Sequence, residues 1–112
     1  MPGLPNMSGM MKQIQKFQEK MAQVQEELEA KTVVAEAGGG VVKATANGKQ
    51  RLVKIQIEKE AVDPLDVEML EDLVLAASNK ALEEAGKMAQ EELAKVTNGM
   101  LPNIPGLNIP GM

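Results

Sequence analysis

Lys12, Lys16 and Lys20 recur at intervals of four residues, which stacks them along one face of an α-helix. Four more cations, Lys43, Lys49, Arg51 and Lys54, crowd the middle of the chain. Ammonium and guanidinium groups in such lines hold phosphate oxygens as fixed charges without reading a base edge. The three lysines fall in the N-terminal half of their helix, where the helix dipole disfavours cations, so helix stability does not ask for them there. The competing use of these residue types is solvation: Lys on helix faces, and Lys that protects sheet edges from pairing with another chain.

Other chemistries are poorly served. The chain has no His and no Cys, which removes imidazole bases, thiolate nucleophiles, disulfides and the usual zinc ligand sets. No enzyme activity, metal, cofactor or small-molecule substrate is expected. Gly38, Gly39 and Gly40 precede a strand and not a helix, and no GxxxxGK or GxGxxG follows them, so they mark a hairpin turn and not a phosphate cradle. With one Phe and no Trp or Tyr, stacking on exposed bases is nearly out of reach, which favours a duplex over single strands or RNA loops. The net charge of −4 conceals an asymmetry: residues 1–59 carry +3 and residues 60–112 carry −7. No apolar run approaches the length of a membrane span, and no signal-peptide pattern is present, so a cytoplasmic location without membrane contact is expected.

The elements that must position these cations follow from changes of period. Met7, Met10, Ile14, Phe17, Met21, Val24 and Leu28 alternate spacings of three and four, a heptad seam on an otherwise Gln, Lys and Glu helix that runs to about Lys31, with Ser8 as its N-cap. So narrow a stripe calls for a partner helix. The period then becomes two. Residues 32–37 and 41–46 predict strands joined by the glycine turn, and Asn47-Gly48 predicts a two-residue type I′ turn in which both residues have positive φ. That turn would pair Ala46 with Lys49, Ala44 with Arg51 and Val42 with Val53, and would place Val42, Ala44, Val53, Ile55 and Ile57 together on the core face. Asp63 and Pro64 break the third strand. A second helix starts near Asp66 and stops at Asn98-Gly99; its first half is apolar nearly all round, with Asn79 set within that face. Residues 1–7 are expected to be disordered, 8–99 to form one domain, and 100–112, rich in Pro and Gly, to be a flexible tail.

The fold class is therefore α+β, in the order α-β-β-β-α, with helices longer than the sheet is wide. Within that frame the joining residues become recognisable. Residues 37–48 (AGGGVVKATANG), Asp63-Pro64, residues 66–74 (DVEMLEDLV), Ala76-Ala77 and Asn79 resemble the YbaB/EbfC family of nucleoid-associated proteins, in the family's order and spacing. The resemblance covers nearly the whole chain, with Ala44 and Ala46 standing where many relatives have Val. It implies a tweezer-shaped homodimer that binds double-stranded DNA with little or modest sequence preference, alters DNA conformation and contributes to nucleoid organisation and gene regulation.

The residues and the resemblance together assign duplex contact to Lys12, Lys16, Lys20, Lys43, Lys49, Arg51 and Lys54. The dimer contact is assigned to Leu70, Leu73, Val74 and Ala77, whose side chains point in too many directions for one small sheet to cover. The rival from another class is a prefoldin-like holdase, or a helical scaffold, that offers apolar helix edges to protein clients.

Overall fold

A computed structural model describes residues 7–100; the expectations for residues 1–6 and for the tail beyond Met100 lie outside them. Helix α1, Met7–Ala30, leads into strands β1, Thr32–Ala37, β2, Val42–Asn47, and β3, Leu52–Ile57, which are followed by α2, Val67–Met100. The α-β-β-β-α order is the one expected, and the sheet is an antiparallel meander in the order β1-β2-β3. Ser8 lies inside α1 and not at its cap, and α2 passes through Asn98 and Gly99 without stopping. At the other end of α2 the cap is Asp66, whose carboxylate accepts the Met69 N–H at 3.1 Å, while Asp63 takes the Leu65 N–H at 2.9 Å and turns the chain around Pro64.

The core is built almost wholly from alanine. Ala35, Ala44 and Ala46 of the sheet meet Ala77, Ala81 and Ala85 of α2, and none of the six is more than 3% exposed. Small residues on both sides bring the helix close to the sheet, so Ala44 and Ala46 are matched by the small side chains opposite. Val42 is fully buried among them, and Leu70, Leu73 and Val74 pack against the cluster from its side. The buried polar residue of this stretch is Ser78, whereas Asn79 is exposed.

The helix lies over β1 and β2 and barely reaches β3. Every residue of β3 is consequently exposed, with Ile55 and Ile57 at 39% and 42%. The expected face holds for Ile55 and Ile57, whereas Val53 falls at the bulge and Leu52 takes the place across from Ala46, and the expected burial does not hold. The expected register is also displaced: Val42 pairs with Ile57, Ala44 with Ile55 and Ala46 with Leu52, with a bulge next to Ala46. Between Val42 and Ala44 the displacement is four residues, an even number, which keeps Ile55 and Ile57 on the face of Ala44 and Val42. The two-residue turn would have carried those isoleucines past the start of β2 to face glycine. The longer loop gives them partners.

That loop replaces the type I′ turn. The Gln50 N–H bonds the Asn47 carbonyl at 2.9 Å, the Asn47 N–H bonds the Arg51 carbonyl at 2.9 Å, and the residue with positive φ is Gln50, at 57°. This is a three-residue hairpin, a tight turn closed by one left-handed residue. Asn47 sets it by side-chain chemistry: its carboxamide oxygen accepts the N–H groups of Lys49, at 2.9 Å, and Arg51, at 3.2 Å.

Candidate nucleic-acid interface

Gly48 joins the hairpin to α1. Its N–H donates to the carbonyls of Leu28, at 2.8 Å, and Lys31, at 3.0 Å, so the last turn of α1 finds its partner in the loop. A Cβ on Gly48 would lie 2.7 Å from both the carbonyl oxygen and the Cδ2 of Leu28, so close approach, and not positive φ, is the reason for glycine here. A second fastening lies on the other helix. The Lys31 ammonium donates to the Glu92 carboxylate at 2.8 Å, and Lys95 approaches the same oxygen at 3.3 Å. These hydrogen bonds, that from Lys31 first, hold the Glu92 carboxyl below its ordinary range, and the bond to Glu92 raises the Lys31 pKa.

The two helices therefore leave the hairpin end of the sheet side by side and antiparallel, as an arm. The chain measures 79 × 28 × 16 Å with a radius of gyration of 21.2 Å, against about 12–13 Å for a rounded domain of this length. Lys12, Lys16 and Lys20 stand on the arm, all exposed, about 12 Å from first to last at 1.5 Å per residue. Lys20 borders the groove between the helices together with Gln23, Val24, Glu27, Glu92, Lys95 and Val96. Lys49 and Arg51 are exposed at the base of the arm, on the rim of a hollow shared with Glu29, Leu52 and Val53. The structure thus gathers five of the seven candidate cations on the arm and at its root.

Lys43 and Lys54 lie elsewhere. They occupy the sheet face turned away from α2, with Lys43 half-buried and directly across from Glu36, and Lys54 across from Thr45. Among the described residues the cations within 4.0 Å of a carboxylate are Lys31, Lys87 and Lys95, and none of these is among the seven. Sequence reading did not single out Lys31, Glu92 or Gly86. The first two are 61 positions apart and meet only through the fold; Gly86 leaves room for the Gln50 side chain, whose Nε2 is 2.7 Å from where its Cβ would be.

The four residues expected at a dimer contact face their own chain: Ala77 is fully buried, and Leu70, Leu73 and Val74 are half-buried against the alanine core. Leu73 also closes on the glycine turn, where a Cβ on Gly38 would lie 2.9 Å from its Cδ2. No helix among the described residues is long and apolar enough to cross a membrane.

Residues 2–100 match the model of the YbaB/EbfC DNA-binding family. A nucleoid-associated protein of Chlorobium phaeobacteroides is 56% identical over 99 residues, covering 88% of this chain and 87% of its own. One from Thermoanaerobacter pseudethanolicus is 56% identical over 106 residues, with 95% and 94% covered. An uncharacterized protein of Helicobacter pylori shares the fold, with a TM-score of 0.57 at 22% identity over 79% of this chain and 98% of that one. The chain belongs to the YbaB/EbfC DNA-binding family.

Proposed function

We propose that this protein acts in the bacterial nucleoid as a homodimer that grips double-stranded DNA through phosphate contacts, with little sequence preference. The observation that carries the reading is the set of exposed cations on the arm and at its root, Lys12, Lys16, Lys20, Lys49 and Arg51, which have no carboxylate within 4.0 Å among the described residues. From Lys12 to the end of α1 is about 27 Å, and the hairpin adds to that, so one arm has the reach to follow roughly one turn of duplex. Lys43 and Lys54 remain in the proposed contact set, Lys43 with a smaller part because Glu36 stands across from it.

The proposed dimer rests on β3. Leu52, Val53, Ile55 and Ile57 are 39–54% exposed on an edge strand, and an apolar edge left open is an aggregation hazard that a second copy removes. The exposed portions of Leu70, Leu73 and Val74 flank this surface in the proposal, and Ala77 contributes only to its own chain. Ile55→Asp should yield monomer in sedimentation. A parent chain that is monomeric at micromolar concentration would defeat the dimer.

The test of DNA binding is a salt series on a random duplex. If about six phosphates are neutralised per dimer, log affinity falls against log salt with a slope near −5, and Lys16→Ala, absent twice per dimer, flattens that slope by up to about 2 while weakening all sequences alike. Lys43→Ala should flatten it less. Binding of a client protein that persists in high salt, without a shift of DNA at low salt, would establish the holdase reading instead. Joint substitution of Lys12, Lys16 and Lys20 by Glu with DNA affinity retained would also sink the proposal.

A further inference from the structure

We propose that the outer half of α1 pairs, antiparallel, with the same segment of a second copy and so joins one dimer to the next. The heptad seam of this helix is covered only in part. Leu28 and Val24 are buried, Met21 and Phe17 are half-buried, and Ile14 and Met10 reach 55% and 61%, with Met11 beside them at 63%. The gradient has a geometric cause. From the level of the Lys31–Glu92 contact, α2 extends about 12 Å to Met100, while α1 runs back about 36 Å to Met7. More than 20 Å of α1 therefore lies beyond Met100, the last described residue of its neighbour.

The arrangement of the arm decides the direction of the pair. A second α1 laid parallel and in register would run down the seam into the space that α2 already fills beside Val24 and Leu28. Laid antiparallel, it points the same way as α2 and continues the covering of the seam that α2 begins. In the register that spans this stretch, Ile14 meets the second copy's Phe17 and Met10 meets its Met21, each in both directions. The flanks carry no obstacle: Met11 faces Gln18, and Gln13 faces Lys20, so no two like charges meet. Lys12 and Lys16 fall on the far side of the helix and stay free for phosphates. Each sheet then begins about 22 Å from the centre of the contact, on opposite sides, so two copies joined here cannot also share β3. With two arms, each dimer reaches two others, which makes an open chain of dimers. The seam is only about 18 Å long, so the contact is weak and shows at high concentration.

The size of the assembly rests on the proposed β3 dimer, whereas the α1 contact itself does not. In sedimentation up to about 1 mM chain, the parent should form species larger than a dimer, and Ile55→Asp should form pairs of chains. Ile14→Asp, at a position already more than half exposed, should keep the dimer and lose the larger species; added to Ile55→Asp, it should leave monomer. Should the β3 dimer fail, the parent forms α1 pairs alone. Because the chain has no Cys, direction is read by oxidising an equimolar mixture of Met10→Cys and Met21→Cys chains, one of them mass-tagged. The expected product is the mixed disulfide, while Met10→Cys alone should not cross-link. Disulfides joining two Met10→Cys chains, or no cross-link at all, overturn the proposal. So do larger species that survive Ile14→Asp, and hydrogen-exchange protection of amides 11–17 that does not rise with concentration, which would assign the edge to the chain's own residues.

Discussion

Gly48→Ala should destabilise the protein by about 2–4 kcal/mol. The Gly48 N–H is shared between the Leu28 and Lys31 carbonyls, at 2.8 and 3.0 Å, and displacing it forfeits roughly 1 kcal/mol net. The new Cβ would lie 2.7 Å from the Leu28 carbonyl oxygen and 2.8 Å from the Leu28 Cβ. Leu28 is 2% exposed and cannot swing into solvent without leaving its packing, so relief requires the end of α1 to move, an overpacking strain of about 1–3 kcal/mol. Gly48→Asn separates this cause from the alternative. Asn tolerates the left-handed region, so at a type I′ turn it would be milder than Ala; at a site where any Cβ collides it is at least as harmful. Urea unfolding at one fixed protein concentration measures both, and an unchanged m-value licenses the comparison. A loss below about 1 kcal/mol for Ala, or a clear recovery with Asn, would refute the close-approach account.

Gln50→Gly should be neutral to stabilising, by about 0.5 kcal/mol, because it relieves the positive φ of 57° and gives up a long 3.5 Å contact to the Leu82 carbonyl and the approach of the side chain to Gly86; a loss above about 1 kcal/mol in the same unfolding assay would show that the contact with α2 matters more. Ala81→Leu should cost about 1–3 kcal/mol by forcing α2 off the sheet, and a variant as stable as the parent would mean that the alanine interface is loosely packed. The Glu92 carboxyl titrates below its ordinary 4.5, so its contribution is present above that value and fades as pH falls through the lowered pKa; Lys31 titrates above 10.5, so its contribution is present below that value and fades as pH rises through the raised pKa. The difference in thermal midpoint between parent and Glu92→Gln should therefore be widest between about pH 5 and 10 and shrink at both ends, whereas a difference independent of pH would rule out the ion pair as its source.

What was legible in the sequence, and what was not, divides along the range of the interactions. The shift from a 3.5-residue to a two-residue period located α1 and the strands, and Asp63-Pro64 with Asp66 located the start of α2, because each signal is local. Asn47-Gly48 was read correctly as a turn and wrongly as its type. The same dipeptide serves a longer loop when the Asn carboxamide takes two backbone N–H groups, and the carbonyls at the end of α1 help hold that loop through Gly48. Those carbonyls belong to residues 17 to 20 positions earlier, which a local pattern does not see. Cation type was legible in the same sense, and cation availability was not. Lys31 looks in sequence like Lys16 and Lys20, yet only the fold gives it Glu92, 61 positions away.

The alanine core links the two halves of the functional reading. Large residues on α2 would have held it off the sheet and allowed a broader footprint; Ala77, Ala81 and Ala85 set it down tightly on Ala35, Ala44 and Ala46 instead. A helix so close touches only the strands directly beneath it, so β3 is left bare on the face where Ile55 and Ile57 point. The same line of contact directs α2 past the hairpin, where Gln50 lies against Gly86 and Glu92 meets Lys31, and on alongside α1. The open edge in the proposed dimer and the arm bearing Lys12, Lys16 and Lys20 are thus two ends of one packing choice. Small residues decide where the helix lies, and what it leaves uncovered is what a second copy and a phosphate backbone can reach.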